Sequence, residues 1–349
     1  MMFPKIKSFP IYWENGMKLS AEHFQHLEES IEDVVRDARA ASLIPLGGFG
    51  LLPHSPFVVQ NAQGEQPNSV RVILNACQAI LPGGYRVEIL PENIQKLQIP
   101  SQVPFVEFVP SSGIRYHLFL SVNEDKRIPV GIPQTRPIRH PYLAHDYQLE
   151  CIAQDKLSAV KALAPNRMKI AEWQNGKVLE GYIPPSLTVN GFPLLNKWYQ
   201  FLQNQLENMV RIGLQVINEH RKKDVNRAEF CIPIVNYIRS SQGYYKWQLP
   251  NESPTKIAVY FGDLAGLVEG LIETSDRDFV RNQLKNGEIN NLRQSIRDLL
   301  KSGVLPQEEI AIIIARIQKL CESILLTLQS LITHNAPKPR SGERNISSG

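Results

Sequence analysis

Residues 13–25, which read WENGMKLSAEHFQ, join a turn directly to the start of an amphipathic helix. Gly16 permits a positive φ, Ser20 is a favourable N-cap residue, and Glu22 places a carboxylate near the unpaired N–H groups of the first turn. The pattern predicts a helix over about residues 21–42. Its apolar positions advance by three or four residues: Phe24, Leu27, Ile31, Val34, Ala38 and Ala41. Such a face must be buried against another surface, so we interpret the segment as a docking element.

The composition is that of a soluble protein with room for two domains. The chain has 349 residues, of which 43% are hydrophobic. It contains no run of about 18 uncharged apolar residues, so we expect no transmembrane span. Residues 1–7 lack the continuous apolar segment of a secretory signal, which disfavours export by that route.

Cysteine spacing and charge indicate the redox compartment and the class of partner. The four cysteines, Cys77, Cys151, Cys231 and Cys321, are widely separated and form no Cys-x-x-Cys pair. We interpret them as small buried hydrophobic residues of a protein in a reducing cytoplasm. The net charge of +4 comes from basic residues interleaved with acidic ones, so no nucleic-acid partner is expected.

Residues 50–183 read mainly as short strands separated by Gly, Pro and Asn turns. Residues 70–74 and 85–89 flank a Pro-Gly-Gly turn, and residues 116–122 alternate in polarity. The pair Asn175-Gly176 is a strong hairpin signal. The sequence therefore predicts a β-sandwich-like domain, with a solvated proline-rich loop between Ile128 and Pro141.

After residue 184 the apolar positions change to a helical spacing. Four stripes predict long helices, and a fifth helix is expected near Ala228 to Ser241, interrupted at Pro233. We expect an antiparallel helical bundle. The fold class predicted from the whole sequence is thus α+β and multidomain, with domains at 1–183 and 184–334 and a disordered tail at 335–349.

The apolar stripes of the bundle permit two interpretations. Each stripe can fill the core of one protomer, or part of it can contact other copies of the chain. The last helix carries apolar residues around most of its circumference near Ile310, which favours a partner surface there. The residues predicted for oligomerisation are Leu195, Trp198, Leu202, Ile312, Ile314 and Ile317.

The sequence contains no strong motif for catalysis or metal binding. The sequence has no phosphate-binding loop, no Gly-x-Ser-x-Gly elbow and no His-Glu-x-x-His motif. His23 and His26 lie one helical turn apart but lack further ligands, and His140 and His145 near Asp146 have the composition of a solvated loop. We predict no catalytic residue, no cofactor and no metal.

The segment at residues 13–25 resembles the amino-terminal signature of the TssK family of type VI secretion baseplate subunits, Trp-x-Glu-Gly-Met-x-Leu-x-Pro-x-His-Phe-Gln. Asn15 is an extra residue here, and Ala21 stands in place of the proline. Two later segments, residues 181–187 and 253–266, appear in the order of the family, so the resemblance extends to about Glu273.

The resemblance implies a non-enzymatic structural adaptor in the cytoplasm, at a baseplate associated with the inner membrane. It implies a homotrimer with an amino-terminal shoulder that binds the wedge subunits TssF and TssG and a helical-bundle neck, with no nucleic acid and no membrane insertion. It does not cover the carboxy-terminal head of the family, and the contacted membrane-complex component is not identified. The predicted partner-binding residues are Trp13, Glu14, Gly16, Met17, Leu19, His23, Phe24 and Gln25.

Two alternatives stay open at this stage. Trp13, Met17, Leu19 and Phe24 can anchor a partner or pack into the core of their own domain. The protein can also be a phage-like receptor- or glycan-binding protein, or a glycan hydrolase, with a β-sandwich on a helical oligomerisation stalk. A glycosidase needs two facing carboxylates. The strand region offers four acidic residues that the spacing does not pair: Glu107, Asp125, Asp146 and Glu150.

Overall fold

A computed structural model describes residues 7–43, 49–96, 103–136, 138–159, 164–275, 279, 286–300 and 310–333. Strands lie in the first half of the chain and long helices in the second, which confirms the predicted α+β class. The predicted tail at 335–349 and the predicted helix stop at Gly303 lie outside the described residues. Within the described ranges, no helix is both long enough and apolar enough to cross a membrane.

The described residues of the first half of the chain form two α-helices, eleven strands and a short 3-10 helix at Gln154–Ala159. The helices are α1 (Ala21–Leu43) and α2 (Pro91–Lys96). The strands are β1 (Gly50–Leu51), β2 (Val58–Gln63), β3 (Val70–Ile80), β4 (Arg86–Ile89), β5 (Phe105–Phe108), β6 (Tyr116–Val130), β7 (Gln134–Thr135), β8 (Ile138–Arg139), β9 (Tyr142–Ala153), β10 (Arg167–Gln174) and β11 (Lys177–Val178).

The second half of the chain is helical. Its long helices are α3 (Pro193–His220), α4 (Val225–Ser240), α5 (Thr255–Thr274), α6 (Asn286–Leu300) and α7 (Ile310–Thr333). Short helical turns precede α3 at Val189–Gly191 and precede α5 at Tyr244–Gln248 and Leu249–Asn251.

Two antiparallel sheets share one apolar core. In the first sheet, β3 pairs with β1, β2, β4 and β5, and in the second the order is β11-β10-β6-β9. In β4 and β10 buried residues largely alternate with partly exposed ones, as expected for strands with one face on a core. The buried cluster takes side chains from both sheets, among them Val72, Leu74, Val87, Leu118, Leu120, Met168, Ile170 and Trp173.

The hairpin predicted at Asn175-Gly176 is confirmed. Gln174 pairs with Lys177 across a two-residue turn. Asn175 has a φ of 51° and Gly176 a φ of 85°. Two consecutive positive φ values define a type I′ turn, which matches the twist of the flanking strands.

The prediction of a loop between Ile128 and Pro141 is wrong at its start and in its middle, which are strands. Strand β6 continues to Val130, where it pairs with Tyr142 of β9, and β7 and β8 form a small hairpin between them. Pro129 is tolerated in β6 because β10 pairs only with Tyr116–Ser121. Among the described residues, the later part of β6 has a ladder partner on one side, so the position of Pro129, which has no N–H, can face the side without a partner.

The predicted interruption of the fifth helix at Pro233 is also wrong, since α4 runs through it without a break. A proline inside a helix removes one backbone hydrogen bond and strains the preceding turn. Here Phe230, Cys231, Ile234 and Val235 are buried on both sides of the proline. We infer that this packing outweighs the local cost.

The chain forms two compact units. The first comprises Met1–Gln200, Tyr244–Val259 and Val304–Ile314, and the second comprises Phe201–Gly243, Tyr260–Gly303 and Ala315–Gly349. The functional division predicted between residues 183 and 184 stays a prediction. All four cysteines are free thiols, and burial raises the pKa of Cys77, Cys151 and Cys231 to about 12.

Candidate docking surface

The turn before α1 is built as the sequence predicts. The N–H of Met17 donates to the carbonyl oxygen of Glu14 at 3.2 Å, and Gly16 has a φ of 87°. A Cβ added at Gly16 would meet no atom within 4 Å. The requirement for glycine is therefore conformational and not steric.

His23 closes the first turn of α1. The backbone N–H of Ser20 donates to Nδ1 of His23 at 3.1 Å, and the Ser20 hydroxyl lies 3.0 Å from the same atom. This is one half of a capping box, the half in which a side chain at the third helical position accepts from the N-cap N–H. His23 thus takes the place that Glu or Gln usually fills.

The face of α1 that packs on its own domain is polar. Asp33 and Arg36 are buried and form an ion pair at 2.8 Å. Asp33 also accepts from the backbone N–H groups of Lys7 and Ser8 at 2.6 and 2.9 Å. Arg36 donates to the hydroxyl of Tyr85 at 2.7 Å. These contacts tie both the helix and the preceding segment to the β-sheet domain.

A second set of polar contacts joins α1 to the β6–β9 ribbon. The carboxylate of Glu32 contacts the guanidinium of Arg127 and lies 2.9 Å from Nε2 of His145. The hydrogen bond with His145, together with the nearby positive charges, lowers the pKa of Glu32 against the opposing effect of burial. A cleft of about 540 Å³ lies beside these groups and is lined mainly by charged side chains.

The turn between β3 and β4 approaches α1 closely. Gly84 has a φ of 82°, and a Cβ added there would lie 2.3 Å from the carbonyl oxygen of Arg36. Only glycine meets both conditions, because other residues disfavour this φ and would collide with the helix backbone. The polar face of α1 therefore packs closely against the β-sheet domain.

The opposite face of α1 is apolar and exposed. Phe24 is 51%, Ile31 54% and Val34 59% exposed, although apolar helix faces are normally buried. Together with exposed residues of the preceding segment they form what we call the amino-terminal apolar face: Phe9, Tyr12, Trp13, Leu19, Phe24, Ile31, Val34 and Val35. The ring of Trp13 lies 6.4 Å from that of Phe24, so the two parts are adjacent.

Three of the eight predicted partner-binding residues, Trp13, Leu19 and Phe24, belong to this face, whereas Gln25 lines the charged cleft. Trp13, Glu14, Leu19, Phe24 and Gln25 are exposed, Met17 and His23 are partly buried, and Gly16 forms the turn. None of these side chains enters the core of the β-sheet domain. The predicted partner-binding set does not include five residues of this face: Phe9, Tyr12, Ile31, Val34 and Val35. Ile31 and Val34 belong to the apolar stripe that predicts the helix.

The residues predicted for oligomerisation separate into two groups. Leu195, Leu202, Ile314 and Ile317 are buried within the single chain, which explains their apolar character without a partner. Trp198 is partly buried, and Ile312 is exposed. The oligomerisation role stays a prediction, and Ile312 is the residue of this set that a second copy can reach.

The titratable groups singled out in the sequence take structural partners. Glu107 accepts from Ser69 and from the backbone of residues 65 and 66, and these bonds with that from Arg71 lower its pKa to about 2. Asp146 pairs with Lys126, and Glu150 with Arg167. The side chain of Asp125 lies outside the described residues.

The histidines singled out in the sequence likewise contact different partners. His26 lies 3.5 Å from Glu29, Nδ1 of His140 lies 3.0 Å from the carbonyl oxygen of Gly131, and His145 contacts α1. Among the described residues, no group of three or more His, Cys, Asp and Glu side chains could hold a metal ion.

No protein-family model and no curated protein matches the sequence. Solved structures do match. A crystal structure of TssK is similar with a TM-score of 0.51 and 16% identity, over 74% of this chain and 61% of that one. TssK from the type VI secretion system of EAEC, in complex with nanobody nb18, gives 0.51 and 15%, over 85% and 68%.

A third similar structure is a chain of the TssK-TssF-TssG baseplate subcomplex of the type VI secretion system, determined by cryo-electron microscopy. It gives a TM-score of 0.50 and 15% identity, over 90% of this chain and all of that one. The chain has a TssK-like fold. It spans 61% of the length of the TssK crystal structure, and at these identities the likeness establishes the TssK fold alone.

Proposed function

We propose that the chain is a structural subunit of a type VI secretion baseplate, which links wedge subunits to a membrane-anchored complex through protein contacts. The observation that carries this proposal is the orientation of α1. Its polar face is fixed to the domain through Asp33 and Arg36, and its apolar face points away from that domain. A helix held in this way presents apolar surface for a partner.

The exposed residues of this face are of the type that supports specific binding. Single exposed apolar residues are common on protein surfaces, but contiguous apolar surface usually marks an interaction site. This face contains three large aromatic side chains in one segment, Phe9, Tyr12 and Trp13. Aromatic residues are enriched among those that contribute most to binding free energy.

The partners of the proposal come from the similar structures. One of them contains TssK together with TssF and TssG, so wedge subunits of those two types are the proposed partners. The predicted homotrimer, the contact through Trp13 to Gln25, and the place at the inner-membrane baseplate belong to the same proposal. We propose no enzymatic activity.

We further propose that the chain folds as a sandwich-like shoulder domain followed by an antiparallel helical-bundle neck. The shared core of the two sheets supports the sandwich. In the neck, the Tyr237 hydroxyl donates to the carbonyl oxygen of Tyr260, and Arg227 donates to that of Leu331 at 2.6 Å. Both contacts join the beginning of one helix to the end of another, as antiparallel neighbours require.

Co-purification with the TssF and TssG subunits of the same organism tests the proposal. We expect wild-type protein to bind them, and Trp13→Ala to weaken binding while the protein stays folded and keeps its oligomeric mass. Trp247→Ala is the matched control, because Trp247 is also exposed but lies away from this segment in sequence. Unchanged binding by Trp13→Ala together with Phe24→Ala would refute the assignment of the surface.

The glycan-binding alternative gains no support from the strand carboxylates. Glu107, Asp146 and Glu150 each have a cationic partner, so their charges already stabilise the fold. Binding to a glycan array, with no capture of wedge subunits, would favour that alternative over the baseplate role.

A further inference from the structure

The amino-terminal segment is locally acidic in a chain that is basic as a whole. Residues 8–35 contain six carboxylates and a single lysine, Lys18, whereas the net charge of the chain is +4. The apolar face lies in this segment. The net charge of this segment is therefore negative, whereas that of the whole chain is positive. A partner that binds the apolar face is exposed to the negative potential of the segment.

Three of the six carboxylates are used within the fold. Asp33 pairs with Arg36 and Glu32 with Arg127 and His145, as described above. Glu29 contacts His26 and accepts a hydrogen bond from the Ser8 hydroxyl at 3.3 Å. The charges of these three residues are thus largely compensated within the domain.

The other three carboxylates are exposed. Glu14, Glu22 and Glu28 form no ion pair with any residue that the structure describes. Glu14 follows Trp13 directly, and Glu28 lies one helical turn after Phe24, so both flank members of the apolar face. Within residues 8–35 the single lysine or arginine is Lys18, which is exposed.

We infer that the amino-terminal apolar face binds a basic, apolar segment of its partner, in which lysines or arginines flank large apolar side chains. The inference rests on the proposed function and adds the chemistry of the partner surface. An apolar centre with a charged rim is the usual anatomy of an interface, and a rim of one sign selects the opposite sign.

The same charges argue against two other occupants. Pairing of this face with its copy in a second protomer would bring carboxylates against carboxylates. An anionic membrane surface would repel them in the same way. For a basic partner segment, burial of apolar surface and electrostatic attraction both favour binding.

Rim charges act mainly on the rate of association. We therefore expect the triple variant Glu14→Gln, Glu22→Gln and Glu28→Gln to lower the association rate constant for the wedge subunits about tenfold at low salt. The dissociation rate constant should change little. Raising the salt concentration should reduce the rate of wild type toward that of the variant, because exposed charges are screened.

A matched control uses three exposed carboxylates of the helical part, Glu207, Glu229 and Glu273, which form no ion pair with any described residue. Their change to Gln alters the net charge by the same amount and should leave association within about twofold of wild type. An equal slowing by both triple variants would mean that net charge and not the rim is responsible, and would overturn the inference.

The remaining outcomes separate this inference from the proposed function. Association of the rim variant at the wild-type rate at low salt, with loss of binding by Phe24→Asp, would overturn the inference and leave the proposed function intact. Full binding by Phe24→Asp would overturn the inference and the assignment of the surface, whereas failure of wild type to bind the wedge subunits would overturn the proposed function. Self-association that Phe24→Asp abolishes, or binding to vesicles of anionic phospholipid, would identify one of the other occupants and overturn the inference.

Discussion

Removing apolar surface from α1 should weaken partner binding without weakening the fold. Ile31 and Val34 are 54% and 59% exposed, so about half of each side chain is available to a partner. Burying a whole Ile or Val side chain contributes about 1.5–3 kcal/mol, so the available halves together represent about 1.5–3 kcal/mol. At 1.4 kcal/mol for each factor of ten, Ile31→Ala with Val34→Ala should raise the dissociation constant about 10- to 150-fold.

Titration calorimetry of the double variant with the wedge subunits measures this change. Val259→Ala is the control, since Val259 is exposed to the same extent at 58% but lies on α5. Chemical denaturation should give the same free energy of unfolding for all three proteins within about 1 kcal/mol, because half-exposed side chains contribute little to the core. A dissociation constant within twofold of wild type would refute the reasoning.

Three further predictions concern the fit of α1 and the strand hairpin. Arg36→Ala should lower the free energy of unfolding by about 3–5 kcal/mol in a denaturant titration, because it leaves Asp33 buried without its cation. The hydrogen bond with His145 lowers the pKa of Glu32 below its ordinary value of about 4.5. As the pH falls, Glu32 is therefore protonated in the unfolded chain before it is protonated in the folded protein. The resulting stability is present above about pH 4.5 and lost below it, and the melting temperature of Glu32→Gln should depend less on pH in that range. Gly176→Ala should cost about 1 kcal/mol, since φ is 85° there.

Each of these predictions has a result that would contradict it. A loss below 1 kcal/mol for Arg36→Ala would mean that the ion pair with Asp33 contributes little. Melting curves of Glu32→Gln that follow those of wild type throughout acid titration would remove Glu32 as the titrating group. For the hairpin, Gly181→Ala is the control, because a Cβ there meets no atom within 4 Å and no positive φ occurs. Equal stability of both glycine variants would contradict the argument from backbone strain.

Local sequence signals predicted the elements that depend on neighbours along the chain. The hairpin at Asn175-Gly176 follows from two residues that tolerate a positive φ, and the start of α1 follows from Ser20 and the charge after it. Pro233 shows the limit of such signals. Its effect on a helix is local, but the buried residues around it come from the tertiary fold, which the sequence pattern does not reveal.

The direction of α1 illustrates the same limit for the site. The spacing of Phe24, Ile31 and Val34 shows that the helix has an apolar face, but not whether that face meets the domain or a partner. The answer depends on Arg36 with Tyr85 and on Glu32 with Arg127, pairs far apart in sequence. Partners at such separations carry no signature that a single sequence displays.

Site-specific photocrosslinking from position 24 tests the central claim most directly. A benzoylphenylalanine in place of Phe24 should crosslink to a wedge subunit in the assembled complex, and the same group at Val259 should not. Crosslinks from position 24 that reach only the same chain or a second copy of it would contradict the account.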